Sequence, residues 1–142
     1  MSVDVKYRVS ATATGGRDGH TRTEDGVVDF KLAPPKELGG SGDGANPEQF
    51  FAAGYAACYL GAMKAATRMD KNLAKVPDDA TVKATVGIGP RSDTGFGLAV
   101  GLEVHFPGVD KAEAQKVADA GHTICPYSHA TKGNIEVTTT VV

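Results

Sequence analysis

The sequence predicts an α+β fold, built as a single domain over residues 1–142, and three observations indicate this class. Segments that alternate apolar and polar residues, as strands with one wet face do, lie near both ends of the chain and in its second half. Two segments with helix-capping signals separate groups of these strands instead of alternating with them one by one. With 142 residues, 41% hydrophobic and 23% charged, the chain is long enough for a core without disulfide support.

The first third of the chain predicts strands and a loop. Apolar and polar residues alternate from Val3 to Thr14, which predicts a half-buried strand. The run GGRDGH predicts a turn, and Glu24-Asp25-Gly26 predicts another inside a second strand-rich stretch that ends near Leu32. Residues 33–45 are rich in glycine and proline, so they predict a mobile loop.

A long helix is predicted from the capping signals that follow this loop. Asn46 suits the N-cap, Pro47 suits the first helical position, and Gln49 suits the third position of a capping box. Apolar residues nearly encircle the segment that continues to about Met69, so we expect this helix to be buried on all sides. Its run FFAAGYAACYL contains Cys58, one of only two cysteines in the chain.

The same signals predict the remaining elements. Two alternating segments form a hairpin, Asp110 with Glu113 caps a second helix, and Cys125-Pro126 ends that helix and starts a short helical turn. A last alternating segment closes the chain, and the hairpin pattern favours antiparallel pairing. The predicted ranges are 82–88 and 98–106 for the hairpin, 110–123 for the helix, 125–133 for the turn and 135–141 for the last strand.

Charge and hydropathy exclude several classes of partner. The net charge is -2, the sequence pI is near 6.0 and no basic run occurs, so neither nucleic acid nor an anionic membrane is an expected partner. The N-terminus lacks the apolar core of a signal peptide, and no segment is apolar enough to span a bilayer. We therefore expect a cytoplasmic protein, in which two cysteines serve redox chemistry, metal binding or packing more often than a structural disulfide.

Cys58 is the first candidate for chemistry, although a helical cysteine is equally well explained as a small packing residue. Glu48 lies about 15 Å away along the same helix, so the two side chains cannot touch within one chain. Two helices packed antiparallel about a two-fold axis, crossing near Ala53 where the residues are small, would bring Glu48 of one chain to Cys58 of the other. This predicts a homodimer with composite sites, and packing against a sheet of the same chain is the competing interpretation.

Arg17 and Cys125 are the other candidates. Most loop arginines are solvated, but the glycines around Arg17 would let it swing inward, where a guanidinium stabilises a thiolate. A glutamate such as Glu48 that binds this guanidinium in a bidentate manner would fix its direction. Cys125 precedes a helical turn whose amide dipoles favour a thiolate. It is a candidate resolving thiol for Cys58, although their separation of 67 positions in sequence says nothing about the distance between them.

Three motifs carry a resemblance to a known family. They are GGRDG near the N-terminus, NPEQFFAAGYAACYL in the long helix and CPYSHATKGN near the C-terminus. In this order and spacing they resemble the organic hydroperoxide resistance proteins of the Ohr/OsmC family over essentially the whole chain. The CPYS-x-A-T run is more similar to the Ohr branch than to the osmotically inducible OsmC branch.

The resemblance implies an OsmC-like fold, with antiparallel sheets around two long central helices in an intertwined homodimer. It implies a thiol peroxidase that reduces alkyl or lipid hydroperoxides and is regenerated by a dithiol such as dihydrolipoamide or a lipoylated protein. By motif, Cys58 would be the peroxidatic thiolate and Cys125 the resolving thiol, with Arg17 stabilising the thiolate and Glu48 orienting Arg17. Neither a cofactor nor a metal is expected.

Aromatic side chains near the cysteines are expected to line an apolar approach for the hydroperoxide, although aromatics on a core helix more often serve packing. Such an approach would favour alkyl or lipid hydroperoxides over hydrogen peroxide. The candidates are Phe50, Phe51, Tyr55 and Tyr127.

Three alternatives remain open at this stage. Cys58, Cys125, His122 and His129 are candidates for a zinc site, but the chain has no CxxC motif to support it. A non-enzymatic stress or ligand-binding module on the same fold would carry inert cysteines. An OsmC-branch peroxidase would share the chemistry and differ in its preferred peroxide.

Overall fold

The structure, a computed structural model that describes residues 2–142, confirms the α+β class. The chain divides into two compact units, one ending at Gln49 and the other comprising Phe50–Val142, and the single-domain assignment stays a prediction. None of the helices in the described range combines the length and apolar character needed to cross a bilayer. The elements are β1 Ala11–Thr14, β2 His20–Thr23, β3 Asp29–Lys31, a 3-10 turn Lys36–Leu38, α1 Pro47–Met69, β4 Thr81–Pro90, β5 Phe96–His105, α2 Lys111–Ile124, α3 Pro126–Thr131 and β6 Glu136–Val141.

The first unit contains an antiparallel sheet with strand order β1-β2-β3. The predicted turn between β1 and β2 is confirmed, and its backbone depends on glycine. Gly15 and Gly16 have φ values of 71° and 62°, in the left-handed region. A Cβ at Gly19 would lie 1.9 Å from the carbonyl oxygen of Thr14, so only glycine fits there. Arg17 lies in this tight turn between β1 and β2.

The predicted N-terminal strand is shorter than its sequence pattern. Only Ala11–Thr14 forms a strand, because the antiparallel register with β2 ends at the pair Ala11 and Thr23. In the described part of the chain, no strand pairs with the alternating apolar residues that precede it, and their side chains are exposed. They are Val3, Val5, Tyr7 and Val9.

The loop between β3 and α1 contains no long helix or strand, as predicted, but its ends are joined by backbone hydrogen bonds. The amide of Ala33 donates to the carbonyl of Ala45 over 3.0 Å, and the amide of Ala45 donates to the carbonyl of Lys31 over 2.9 Å. This closure sets the start of α1. There the predicted capping box is confirmed, since the Gln49 amide donates to Asn46 Oδ1 over 3.0 Å and the Asn46 amide donates to Gln49 Oε1 over 2.9 Å.

Helix α1 is not buried on all sides, so that expectation is wrong for the single chain. Five of its residues form the buried face: Tyr55, Tyr59, Ala62, Met63 and Ala66. The opposite face exposes Ala53, Ala57 and Gly61, which follow one another at four-residue intervals. The helix therefore has an uncovered stripe of small residues.

The second unit contains a mixed sheet with strand order β4-β5-β6. β4 and β5 form the predicted antiparallel hairpin, with Val86 opposite Val100. β6 instead runs parallel to β5, with Val137 opposite Val100, because α2 and α3 form a crossover connection between them. The antiparallel expectation therefore does not extend to β6.

Helix α2 packs closely against α1 and delivers Cys125 to the core. Asp110 caps α2 as predicted, because its Oδ1 accepts the amides of Ala112 and Glu113 over 3.0 and 3.3 Å. A Cβ at Gly121 would lie 2.5 Å from Cγ of Met63, so glycine permits this close approach. Cys125 ends α2 and begins α3, where it is 1% exposed.

Candidate active site

The two cysteines, which are 67 positions apart in sequence, face each other in the second unit. Their Sγ atoms are 3.5 Å apart, close to van der Waals contact. Both thiols are free, with Cys58 half-buried on α1 and Cys125 buried between α2 and α3. The packing of α1 against the α2–α3 junction thus brings the two thiols together, which could not be judged from their separation in sequence.

The first turn of α3 acts on both thiols. The Ser128 amide donates to Cys125 Sγ over 3.4 Å, and the backbone amide of Tyr127 lowers the pKa of Cys58. The predicted position of Cys125 at the start of a helical turn is therefore confirmed. Small movements of α3 would alter the surroundings of both thiols together.

Within the single chain, the surroundings of Cys58 favour its protonated form. Burial raises the pKa of the Cys58 thiol, the neighbouring Cys125 raises it further, and the amide of Tyr127 opposes them. Within residues 2–142, no cationic group contributes to the pKa of Cys58. The expected thiolate would require a lowered pKa, whereas the pKa of Cys58 is raised. A thiolate at Cys58 therefore needs a cation from outside these surroundings.

Arg17 and Glu48 form a bidentate ion pair in the first unit. Nη1 donates to Oε2 over 3.0 Å and Nη2 donates to Oε1 over 2.8 Å, which is the contact predicted from sequence. The hydrogen bonds from Arg17 lower the pKa of Glu48, and those to Glu48 raise the pKa of Arg17. Because the cysteine pair belongs to the second unit, the roles of Arg17 and Glu48 at Cys58 stay predictions.

Three of the four predicted pocket aromatics pack against one another, and one of them, Tyr127, lies two residues after Cys125. The ring centroids of Phe51, Tyr55 and Tyr127 lie 5.8 to 6.1 Å from one another. Tyr55 is fully buried, so it supports the cluster from within, whereas Tyr127 is exposed at its surface. Phe50 is half-buried in the first turn of α1. The lining role of these residues stays a prediction.

A polar network behind Cys125 was not identified from the sequence. The Ser128 hydroxyl lies 2.8 Å from His122 Nδ1 and 3.0 Å from the Tyr55 hydroxyl, and His122 Nε2 lies 2.8 Å from Thr139 Oγ1. Burial lowers the pKa of His122, partly opposed by Asp119. The available signal was the spacing, since His122 and Ser128 stand three positions before and after Cys125.

The zinc alternative finds no support in these contacts. Both ring nitrogens of His122 already have hydrogen-bonding partners, and His129 is exposed on α3. Across residues 2–142, no three histidine, cysteine or acidic side chains come together as metal ligands would.

Comparisons with known proteins agree with this architecture. The family model described as OsmC-like protein matches residues 40–140. The organic hydroperoxide resistance protein of Xanthomonas axonopodis pv. citri (strain 306) is 53% identical over 96% of this chain and 95% of its own.

Solved structures give the same result. That of an organic hydroperoxide resistance protein from Elizabethkingia anophelis is 46% identical, covers 98% of both chains and has a TM-score of 0.89. That of OhrB from Bacillus subtilis is 38% identical, covers 97% of this chain and 100% of its own, and has a TM-score of 0.85. The chain therefore belongs to the Ohr/OsmC family. This membership supports a role in resistance to peroxides.

Proposed function

We propose that this protein is a thiol-dependent peroxidase that reduces organic hydroperoxides, alkyl or lipid, to the corresponding alcohols. Cys58 is the nucleophile and Cys125 is the resolving thiol. The observation that most supports this proposal is the distance of 3.5 Å between the two free sulfur atoms. A disulfide needs about 2.05 Å, so closure requires only a small local movement.

The reaction follows thiol chemistry. The Cys58 thiolate attacks the distal oxygen of the hydroperoxide, so the O–O bond breaks and an alkoxide leaves and takes up a proton. The peroxide is reduced by two electrons, and Cys58 becomes a sulfenic acid. The thiol of Cys125 then displaces the hydroxyl, which forms the disulfide and releases water. An external dithiol reduces this disulfide by exchange and returns both thiols.

The cation for this reaction comes from Arg17 in our proposal. Burial of Cys58 disfavours its charged form, and an adjacent guanidinium offsets that effect and stabilises the alkoxide as it leaves. Glu48 fixes the direction of Arg17 through the bidentate contact. Because Glu48 and Cys58 lie about 15 Å apart along α1, the pair acts on Cys58 of a second chain.

We propose that the second chain is a copy of this one, in an intertwined homodimer with its α1 helices antiparallel. The exposed stripe of Ala53, Ala57 and Gly61 supports a close helix crossing, and the alternating apolar segment 3–9 supports pairing with another chain. Both surfaces are uncovered in the single chain.

The aromatic cluster favours an apolar substrate. Phe51 and Tyr127 pack against each other, with Tyr127 exposed, and they offer contact area to an alkyl chain that hydrogen peroxide lacks. The reductant is a dithiol, such as dihydrolipoamide or a lipoylated protein, because a second thiol resolves the mixed disulfide within one molecule. A cytoplasmic location suits a cycle that returns to the dithiol state.

Peroxidase kinetics test the proposal. With dihydrolipoamide as donor, we expect turnover of tert-butyl hydroperoxide to exceed that of hydrogen peroxide, and glutathione to be a poor donor. Cys58→Ser should abolish turnover in a folded protein, and Cys125→Ser should allow one oxidation and then stall or form mixed disulfides. Retained turnover in Cys58→Ser would remove it as the nucleophile, and unchanged cycling in Cys125→Ser would remove the resolving role.

One observation favours a non-enzymatic stress or ligand-binding module as the second candidate, namely that burial raises the pKa of Cys58. Thiol titration before and after tert-butyl hydroperoxide separates the two functions, because inert cysteines would leave the thiol count unchanged. The ratio of turnover with tert-butyl hydroperoxide to turnover with hydrogen peroxide also separates an OsmC-branch preference from an Ohr-branch preference.

A further inference from the structure

We propose that His122 is a positioning residue for the resolving thiol and that it acts through Ser128. By fixing the Ser128 side chain, His122 holds the first turn of α3 in the position from which Cys125 closes onto oxidised Cys58. This inference rests on the proposed peroxidase function.

Ser128 joins the polar network to the sulfur atoms. Its hydroxyl lies 2.8 Å from His122 Nδ1 and 3.0 Å from the Tyr55 hydroxyl, while its amide donates to Cys125 Sγ over 3.4 Å. Ser128 is buried, so these contacts are shielded from competing water. The hydrogen bonds of its side chain therefore anchor the turn of α3 that carries the amide in contact with Cys125. The preceding amide, of Tyr127, lowers the pKa of Cys58.

His122 is itself held from two sides. Nε2 lies 2.8 Å from the hydroxyl of Thr139 on β6, and the ring stacks on Tyr59 with centroids 4.5 Å apart. The Tyr59 hydroxyl in turn donates to the carbonyl of Ala118 over 2.6 Å. A neutral imidazole has one donor and one acceptor, which matches its two hydroxyl partners, Ser128 and Thr139. His122 thereby connects α1, α2, α3 and β6.

Positioning by His122 affects the second chemical step, disulfide closure, and not the first, the reduction of the hydroperoxide by Cys58. In that step the Cys125 thiol attacks the Cys58 sulfenic acid, and the sulfur atoms, now 3.5 Å apart, must reach a bond length of about 2.05 Å. If the first turn of α3 moves freely, Cys125 spends less time in this position. The sulfenic acid then persists until a second hydroperoxide oxidises it to the sulfinic acid, which a dithiol does not reduce.

Intact-mass measurement of the reduced full chain after mixing with tert-butyl hydroperoxide tests the inference. The disulfide, the sulfenic acid and the sulfinic acid differ in mass, so both steps are followed in one experiment. In His122→Leu we expect consumption of the first peroxide equivalent within about twofold of the wild-type rate. Disulfide closure should slow about tenfold, the effect of losing one positioning hydrogen bond, and sulfinic acid should accumulate.

Two variants separate positioning from general destabilisation. His122→Asn keeps an amide near the place of Nδ1, so it should restore most of the closure rate, which a purely structural loss would not show. Ser128→Ala should slow closure as His122→Leu does, and the double variant should be no slower than either, because His122 acts through Ser128. The matched control is His129→Ala on α3, the helix that also carries Ser128. This change removes an exposed histidine side chain, and disulfide closure should be unchanged.

Several results would overturn the inference. They are wild-type closure in His122→Leu, equal closure in His122→Asn and His122→Leu, or additive effects in the double variant. If His122→Leu does not fold, wild-type closure in Ser128→Ala has the same meaning. If the wild-type mass does not change with peroxide, the proposed function fails together with this inference, and that result differs from unaltered closure in a protein that oxidises.

Discussion

At the scale of residues, the charge state of Cys58 depends on two opposing effects. Burial and the adjacent Cys125 raise its pKa, whereas one amide, from Tyr127, lowers it. Arg17 is the cation that our proposal brings to this sulfur, and its guanidinium is already oriented by Glu48. In our proposal, the Arg17–Glu48 ion pair therefore contributes more to the reactivity of Cys58 than to the stability of the fold.

The Arg17–Glu48 pair gives a stability prediction with a defined pH dependence. Because Arg17 lowers the pKa of Glu48, the pair stabilises the fold fully above the ordinary pKa of 4.5 and loses its effect as the pH falls through the lower folded value. The Arg17 side chain is 46% exposed, so Glu48→Gln should lower the free energy of unfolding at neutral pH by no more than about 1 kcal/mol.

Urea unfolding of wild type and Glu48→Gln at a series of pH values measures this difference, with Glu37→Gln as the control on an exposed carboxylate elsewhere in the first unit. The difference should shrink as the pH falls below 4.5. A difference that grows on acidification would contradict the assigned sign.

The sequence identified the site residues unevenly, for physical reasons. Cys58 is conspicuous as one of only two cysteines, whereas the roles of Arg17 and Glu48 rest on the family resemblance; the structure brings Arg17 and Glu48 together. The residues that surround Cys125, such as Cys58, are brought to it by tertiary packing, which no local sequence pattern encodes. His122 was considered only as a zinc ligand, and its contact with Ser128 was not predicted, because a histidine and a serine at three-residue spacing from a cysteine are common on helices.

At the scale of elements, local signals predicted helices better than strands. The capping box at Asn46 and the N-cap at Asp110 act within four residues, so the sequence alone located both helix starts. Strands need neighbours that are distant in sequence. The alternating segment 3–14 therefore predicted more strand than residues 2–142 pair with, and the parallel direction of β6 followed only from the crossover through α2 and α3.

Helices α1 and α3 approach each other at Gly54, which leads to a prediction about thiol acidity. A Cβ at Gly54 would lie 3.0 Å from the Tyr127 hydroxyl oxygen and 3.1 Å from a ring carbon, so Gly54→Ala should displace this ring. The Tyr127 amide, which lowers the pKa of Cys58, would shift with it, and the pKa of Cys58 should rise.

The pH dependence of iodoacetamide alkylation of Cys58, measured in a Cys125→Ser background, tests this prediction. Overall stability should change little, because alanine raises helix propensity by about 1 kcal/mol while the displaced ring costs packing. Gly89→Ala on β4 is the control, since its Cβ would meet nothing within 4 Å. An unchanged alkylation profile in Gly54→Ala would show that the Tyr127 amide does not act on Cys58.

At the scale of the whole molecule, the uncovered surfaces of the single chain lie where our proposal needs a second copy. Scattered exposed apolar residues are normal in monomers, but segment 3–9 exposes four in strict alternation, as an unpaired strand would. The stripe of Ala53, Ala57 and Gly61 exposes small residues on a long helix instead of charged ones. Association would cover both surfaces, and the thiol would then receive its cation from the other chain.

This composite arrangement makes a prediction that a site within one chain does not share. Arg17→Ala and Cys58→Ser should each be nearly inactive as homodimers. In a mixed dimer, co-expressed with two different tags and purified on both, one site carries both changes and the other carries neither. The mixed dimer should therefore regain about half of the wild-type turnover with tert-butyl hydroperoxide and dihydrolipoamide. If each chain builds its own site, both sites of the mixed dimer carry one change, and activity should stay at the level of the inactive homodimers.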